Sequence, residues 1–461
     1  AALRVGHREG ASALEVLKKR VAAIKGKDPA QGGALSADRS WPTYFGNAAH
    51  NRTPPTRKSI GLRKWQVPIS QLLYGTNAES TNAGRIVTIE GQQVVDPTMN
   101  HHLTVQNGYF YVCDPWVVAS YPVGNPLPGL SSAGGNVKFF YPTDVQPRAT
   151  NKPQFNARRR VMGMQGSSGV RQHPFFCTVA NGKVFAVLGA EALTFDANMW
   201  RGIEVKQPPN YLVALGYQSG KLLWSLQPEA RNPFFDAMSK DDQEWLKSVF
   251  IVSGPTYEAG VLYVMATQAR GLNEAWAAAF DAENGRLLWR TQICSANPFA
   301  VFGSVQPDLG LPVAVSNGTV FCCTNLGAVA ALDAMSGTIK WLRVYDRLAP
   351  ADRFNPGLRA SSDFWAPNPP IVHNNVVVVT PQDADKMYAY DVESGRRVWW
   401  VERLCREDGA QSTGLKHVLG VVKGNLVVSG TNVHFYELRS GKKSAGPIDS
   451  LEDSAVKGRG T

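Results

Sequence analysis

No stretch of the chain approaches the roughly eighteen consecutive apolar residues that a membrane-spanning helix needs, so no transmembrane span is expected. Cysteine is scarce and irregularly placed: six residues, at 113, 177, 294, 322, 323 and 405, form no Cys-x-x-Cys pair. That excludes a zinc ribbon and a c-type haem attachment. A small disulfide scaffold is excluded too, because a chain of 461 residues can bury its own core. P-loop, Gly-x-Ser-x-Gly and His-Glu-x-x-His motifs are all missing, and with them the signatures of phosphate cradling, serine-hydrolase and zinc-protease chemistry. The start, "AALRVGHREG", has neither a cleavable apolar segment nor a Met, and the chain reads as a piece of a longer protein.

Acidic residues are also in short supply, 37 against 48 Lys and Arg. The excess is concentrated. Residues 1–64 carry a net +9 and Arg148–Arg171, "RATNKPQFNARRRVMGMQGSSGVR", another +6, which leaves the remainder at about −4. Arg158, Arg159 and Arg160 make the second stretch a candidate contact for an anionic polymer or lipid. No nucleic-acid module accompanies the charge, so no nucleic-acid partner is expected.

Glycine (43 residues) and tryptophan (12) are plentiful, and they recur in one phrase. Four copies align without gaps: "LVALGYQSGKLLW" (Leu212–Trp224), "WAAAFDAENGRLLW" (Trp276–Trp289), "AVAALDAMSGTIKW" (Ala328–Trp341) and "KMYAYDVESGRRVW" (Lys386–Trp399). A fifth, "VHFYELRSGKKSA" (Val433–Ala445), keeps the Gly, replaces the Asp by Glu437 and has no Trp. The first copy has Gly216 in place of the Asp. Each copy predicts a hairpin. An apolar strand ends at Asp281, Asp333 or Asp391, whose carboxylate can accept from backbone N–H groups ahead of it. Gly220, Gly285, Gly337 or Gly395 takes the positive φ of the turn. The returning strand brings in Trp224, Trp289, Trp341 or Trp399, a ring large enough to cover the seam between neighbouring sheets.

Another apolar strand precedes each hairpin after a Gly- or Asn-centred turn, as in "NGKVFAVLG" (Asn181–Gly189) and "NGTVFCCTN" (Asn317–Asn325). "QNGYFYVCD" (Gln106–Asp114) reads as an earlier member with an elongated hairpin. Short strands repeating at roughly fifty residues predict propeller blades, about six between Gln106 and Ala445. The expected fold class is therefore all-β: a propeller of four-stranded antiparallel blades, six to eight in all. Residues 1–37 read instead as a helical tail of a preceding region plus a linker. Leu14, Leu17, Val21 and Ile24 share one helical face, and Ser12 with Glu15 fits a capping box. Residues 38–461 form the propeller, with its C-terminal completeness left open.

The phrase resembles the blade motif Ala-x-Asp-x-x-x-Gly-x-x-x-Trp of the pyrroloquinoline-quinone (PQQ) propeller superfamily. Ala279/Asp281/Gly285/Trp289, Ala331/Asp333/Gly337/Trp341 and Ala389/Asp391/Gly395/Trp399 keep its spacing. "SWPTYFGNAAHNR" (Ser40–Arg52) is similar to the Trp-Pro segment that precedes the first blade of such proteins. The resemblance implies one of two branches. Noncatalytic envelope propellers use the disc as a scaffold for protein partners, which implies a periplasmic or envelope location and no cofactor. Quinoprotein alcohol or sugar dehydrogenases hold PQQ and Ca²⁺ on the propeller axis, and some carry an adjacent-cysteine disulfide against the quinone.

The first branch is the expectation, with partners on rim loops such as Val123–Gln172 or in the funnel. Cys322 and Cys323 lie on a strand, where neighbouring side chains point to opposite faces, so they read as two separate buried thiols. The same alternation keeps His101 and His102 from chelating one ion. Asp383 and Asp385, in "TPQDADKM", read as solvated turn acids. Asn51 and Asn317 head glycosylation-type triplets of a kind that arises readily by chance. No catalytic, cofactor-binding or metal-ligating residue is assigned from the sequence.

Overall fold

The computed structural model describes residues 79–80, 86–89, 92–95, 100–113, 117–123, 139–141, 174–189, 210–228, 232–270, 272–296, 311–348, 365–405, 413–430 and 433–448. They form six antiparallel blades whose strands pair in simple chain order. Blade 4 is the plainest: Ala314–Ser316, Thr319–Cys323, Ala328–Asp333 and Ile339–Val344. Blade 1 begins at Thr104–Gln106, blade 2 at Thr178–Ala180, blade 3 at Thr256–Glu258, blade 5 at Ile371–His373 and blade 6 at His417–Val422. Blade 3 gains a short extra strand, Phe250–Ile251, against its second strand. A three-stranded sheet over residues 79–95, two small two-stranded sheets and two helices complete the described elements.

Strand alternation explains why the blades must stack. In blade 4, Val320 and Cys322 enter a core shared with blade 3, while Phe321 and Cys323 enter a core shared with blade 5. Blade 2 repeats the arrangement, with Val184 and Ala186 toward blade 1 and Phe185 toward blade 3. Each sheet is apolar on both faces, so it reaches full burial only between two neighbours. The innermost strands of blades 1 to 5 approach one another in succession, which sets the sheets radially around a common axis.

Local chemistry forms the turns. The turn joining first and second strands carries Asn107-Gly108, Asn181-Gly182, Ala259-Gly260, Asn317-Gly318, Asn374-Asn375 or Lys423-Gly424, with both residues at positive φ. That is the two-residue hairpin turn whose twist matches the strands, and it makes Asn317 a turn residue. At the third-to-fourth turn, Asp281 Oδ1 accepts from Glu283 N at 2.7 Å, and Asp391 Oδ1 from Ser394 N at 2.8 Å. Blade 2, with Gly216 in that place, keeps the same backbone bonds, Gly216 N to Lys221 O and Gly220 N to Gly216 O, and Ser219 Oγ accepts from Lys221 N.

The tryptophans join the blades. Trp224 Nε1 donates to Ala282 O of the next blade, Trp289 to Ala334 O, Trp341 to Val392 O and Trp399 to Leu438 O, at 2.8 to 3.2 Å. Each ring lies on the turn glycine of that next blade. A methyl group added at Gly285, Gly337, Gly395 or Gly441 would fall 2.5 to 2.8 Å from the indole. Nearer the axis a second series of ties runs the same way. The hydroxyls of Thr104, Thr178 and Thr256 donate to Cys177 O, Pro255 O and Val313 O, each just ahead of the next blade's first strand. In blade 4 that position is Ala314, which has no hydroxyl to continue the series.

Two short helices were not expected from the sequence. The described helices lie between blades 2 and 3: α1 (Pro233–Asp236) and α2 (Lys240–Ser248). Ser239 caps α2 by accepting from Asp242 N, and Arg290 pairs with Asp241 and stacks on Trp245, fixing α2 to blade 3. The expected helix at Ser12–Lys25 lies outside the described residues.

Candidate functional site

Antiparallel order gives the blades two distinct ends. Turns between first and second, and third and fourth, strands lie at one end, the hairpin face. Connections between second and third strands, and from one blade to the next, lie at the other, the loop face. The connections over 142–173, 190–209, 297–310, 349–364 and 406–412 all leave described strands at the loop face, while 124–138 leaves at the hairpin face.

A polar network spans blades 3 to 6 on the loop face. Asn325 Nδ2 donates to Gln382 Oε1 at 3.0 Å, and Gln382 N returns a bond to Asn325 Oδ1 at 3.0 Å. Gln382 Nε2 donates to Trp365 O at 3.2 Å. Asn368 donates to Thr380 Oγ1 and Lys416 O and accepts from Val418 N, linking blade 5 to blade 6. Toward blade 3, Cys294 Sγ reaches Thr324 Oγ1 at 3.6 Å.

Asp383 is fully buried, at 0% exposure, which overturns its reading as a solvated turn acid. Tyr345 Oη donates to its Oδ1 at 2.6 Å and Arg347 Nε to its Oδ2 at 2.8 Å, while its own carbonyl accepts from Leu348 N. Burial pushes the Asp383 carboxyl above its ordinary range, against the opposing pull of Tyr345 and Arg347. Burial also drives the Tyr345 hydroxyl well up. The chain leaving blade 4 folds over this loop and shields it from water, a cover that nothing adjacent in sequence announces. Chemically, Asp383 acts as a clamp: each oxygen accepts from a different side chain of the segment leaving blade 4, and the group is buried from water.

A Ca²⁺ ion requires six to eight oxygen ligands. The network does not fit that demand: Asn325, Gln382 and Asn368 oxygens all accept protein N–H groups, and the Arg347 guanidinium occupies one side of Asp383. Among the described residues no three His, Cys, Asp or Glu side chains gather in a metal-binding group.

Cys322 and Cys323 point into different interblade cores and are both fully buried free thiols. Burial raises both thiols far above the ordinary range, as it also raises Cys294 less strongly. Strand Asn100–His101 pairs in parallel with Pro174–Phe175 and ends there, which separates the backbone settings of His101 and His102. Arg158, Arg159, Arg160 and Asn51 lie outside the described residues, as does Val123–Gln172 apart from Val123 and Phe139–Tyr141.

With these blades in place, comparison with known proteins is informative. Residues 273–446 match the PQQ_2 family model, described as outer membrane protein assembly factor BamB. A polyvinylalcohol dehydrogenase from Sphingopyxis sp. is 28% identical over 171 residues, covering 31% of this chain and 26% of that protein. A tetrathionate hydrolase from Acidithiobacillus ferrooxidans is 23% identical over 227 residues, covering 43% of this chain and 42% of the other. The quinohemoprotein alcohol dehydrogenase from Comamonas testosteroni aligns over 93% of this chain and 76% of that structure, with a TM-score of 0.44 and 14% identity.

The repeat region is a PQQ-type β-propeller. Residues 273–446 carry BamB-like PQQ_2 repeats, and the blades are similar to those of the quinoprotein/BamB-like propellers. The matched stretch takes in about a quarter of the length of the polyvinylalcohol dehydrogenase.

Proposed function

We propose that this chain is a noncatalytic propeller scaffold of the bacterial cell envelope, binding protein partners through connections that leave its loop face. The buried Asp383 clamp carries this reading. The largest buried polar network in view spends its donors and acceptors on joining blades 3 to 6, which makes a rigid platform. The match of residues 273–446 to a family model described as an assembly factor supports the same branch, and a periplasmic or envelope location with it. Among the described residues no helix is long and apolar enough to cross a membrane. The basic run at Arg158, Arg159 and Arg160 is proposed as a secondary contact for an anionic polymer or lipid.

A second reading, a PQQ- and Ca²⁺-dependent dehydrogenase, is favoured by the 28% identity to a polyvinylalcohol dehydrogenase. Reconstitution separates the two. Purified protein is incubated with PQQ and Ca²⁺, freed of excess quinone, and assayed for bound quinone and dye-linked oxidation of ethanol and polyvinyl alcohol. The scaffold reading expects neither. Stoichiometric quinone with turnover would replace it with the dehydrogenase.

A further inference from the structure

The hairpin face of blades 5 and 6 holds a cavity of about 590 Å³, lined among others by Lys423, Arg439, Lys442, Lys443, Glu437 and Asn374. Its size is that of a small-molecule site, and its wall carries four cations and one carboxylate. In two other hairpins a lysine meets a carboxylate: Lys183 pairs with Glu283 at 2.8 Å, and Lys340 lies 3.7 Å from Asp333. Lys423, Arg439 and Lys442 form no ion pair with any described residue, and Glu437 Oε2 accepts from Ser440 Oγ at 2.5 Å. The blade motif also changes at this point, from Gly-Arg-Arg-Val-Trp in blade 5 to Gly-Lys-Lys-Ser-Ala in blade 6.

The cations stand on fixed backbone. Arg439 and Lys442 flank the turn that Trp399 holds through Leu438 O, with the indole lying on Gly441. Lys423 occupies the first position of a two-residue hairpin turn, at φ 48°. A hairpin pinned at both ends loses little freedom when a ligand arrives, so its charges are organised in advance.

We infer that this cavity is a binding site for a phosphate-bearing ligand, seated among Lys423, Arg439, Lys442 and Lys443. A single carboxylate would bring one negative charge to a wall where Lys423, Arg439 and Lys442 outnumber Glu437 by two. A phosphate group brings about two charges and three acceptor oxygens, and lysine and arginine are its usual partners. The site lies on the face opposite the Asp383 network, so its occupancy is independent of the loop-face reading above.

Sodium pyrophosphate is the soluble probe, titrated by calorimetry into the full chain at two salt concentrations. Phosphatidylcholine vesicles with and without phosphatidylglycerol are the membrane probe, in a sedimentation assay. The expected result is single-site pyrophosphate binding that weakens with salt and falls about tenfold or more in Lys423→Gln/Lys442→Gln/Lys443→Gln. Arg396→Gln/Arg397→Gln, which removes two charges on the blade 5 hairpin outside the cavity lining, leaves binding unchanged. Glu437→Gln, which removes the one repelling carboxylate and keeps an acceptor for Ser440, tightens binding about two- to threefold. Phosphatidylglycerol-dependent sedimentation lost in the triple variant identifies a lipid headgroup as the source; pyrophosphate binding without sedimentation identifies a soluble phosphate. Absence of both, or equal weakening by the control pair, overturns the assignment.

Discussion

Replacing Gly395 by Ala tests how the blades are joined. Gly395 sits at φ 66°, and a methyl group there would come within 2.5 Å of the Trp341 ring. Left-handed backbone costs an Ala about 1–2 kcal/mol. Pushing the indole off its seat adds about 1–3 kcal/mol for overpacking. The same movement breaks the 2.8 Å bond from Trp341 Nε1 to Val392 O, worth about 0.5–1.5 kcal/mol. Together these predict a loss of roughly 3–6 kcal/mol.

Gly318→Ala is the control. It has a similar φ of 69° with no atom within 4 Å of the added methyl, so only the backbone cost of about 1–2 kcal/mol applies. Urea unfolding followed by tryptophan fluorescence compares the two midpoints. Combining Gly395→Ala with Trp341→Phe makes a double-mutant cycle in which the clash is partly relieved, so the two changes together cost less than their sum. Equal midpoints for Gly395→Ala and Gly318→Ala, with an additive cycle, would show that the ring-on-glycine contact contributes nothing to cohesion.

Three further outcomes are expected. Thr178→Val removes the 2.5 Å bond to Pro255 O and leaves a buried carbonyl unanswered, lowering stability by about 1–3 kcal/mol; a denaturation midpoint equal to that of the unaltered chain would remove this tie from the account. Cys322 and Cys323 should resist alkylation in the native protein and each take one label after unfolding without reductant; failure of both to label until reduced would mean a disulfide joins them. The Asp391 carboxyl is held below its ordinary value of 3.8, first by the Ser394 hydroxyl and then by its N–H, so its stabilising effect is present above that value and is lost as pH falls through the lower folded value. Urea midpoints at pH 5 and pH 3 should therefore fall less steeply in Asp391→Asn than in the unaltered chain; an unchanged slope would remove the carboxylate from the account.

The candidate site was only partly legible in the residues. Asp383 was misread because its neighbours, Pro381 and Gln382 on one side and Ala384 and Asp385 on the other, have the composition of an exposed turn. What buries it is the chain around Tyr345 and Arg347, some 36 to 38 residues away. α2 was missed although its cue was present: Ser239 followed three places on by Asp242, ahead of Trp245 and Leu246, is a capping pattern with an apolar pair behind it. The basic cavity escaped notice because Lys423 and Lys442 are far apart in the chain, and only the hairpin face brings them together.

From the residues alone came the hairpins, their Asp- and Gly-based turns, the count of six blade-like units from Gln106 onward and the division of Cys322 from Cys323. All of these follow from local rules, since turn geometry and the two-residue alternation of a strand act over a few residues. Tertiary structure alone decided which glycine each tryptophan covers, which threonine ties which blade, why Asp383 is dry and where four cations share one cavity. Those facts depend on surfaces from different blades meeting, and burial between blades is a property of the stack that no single repeat contains.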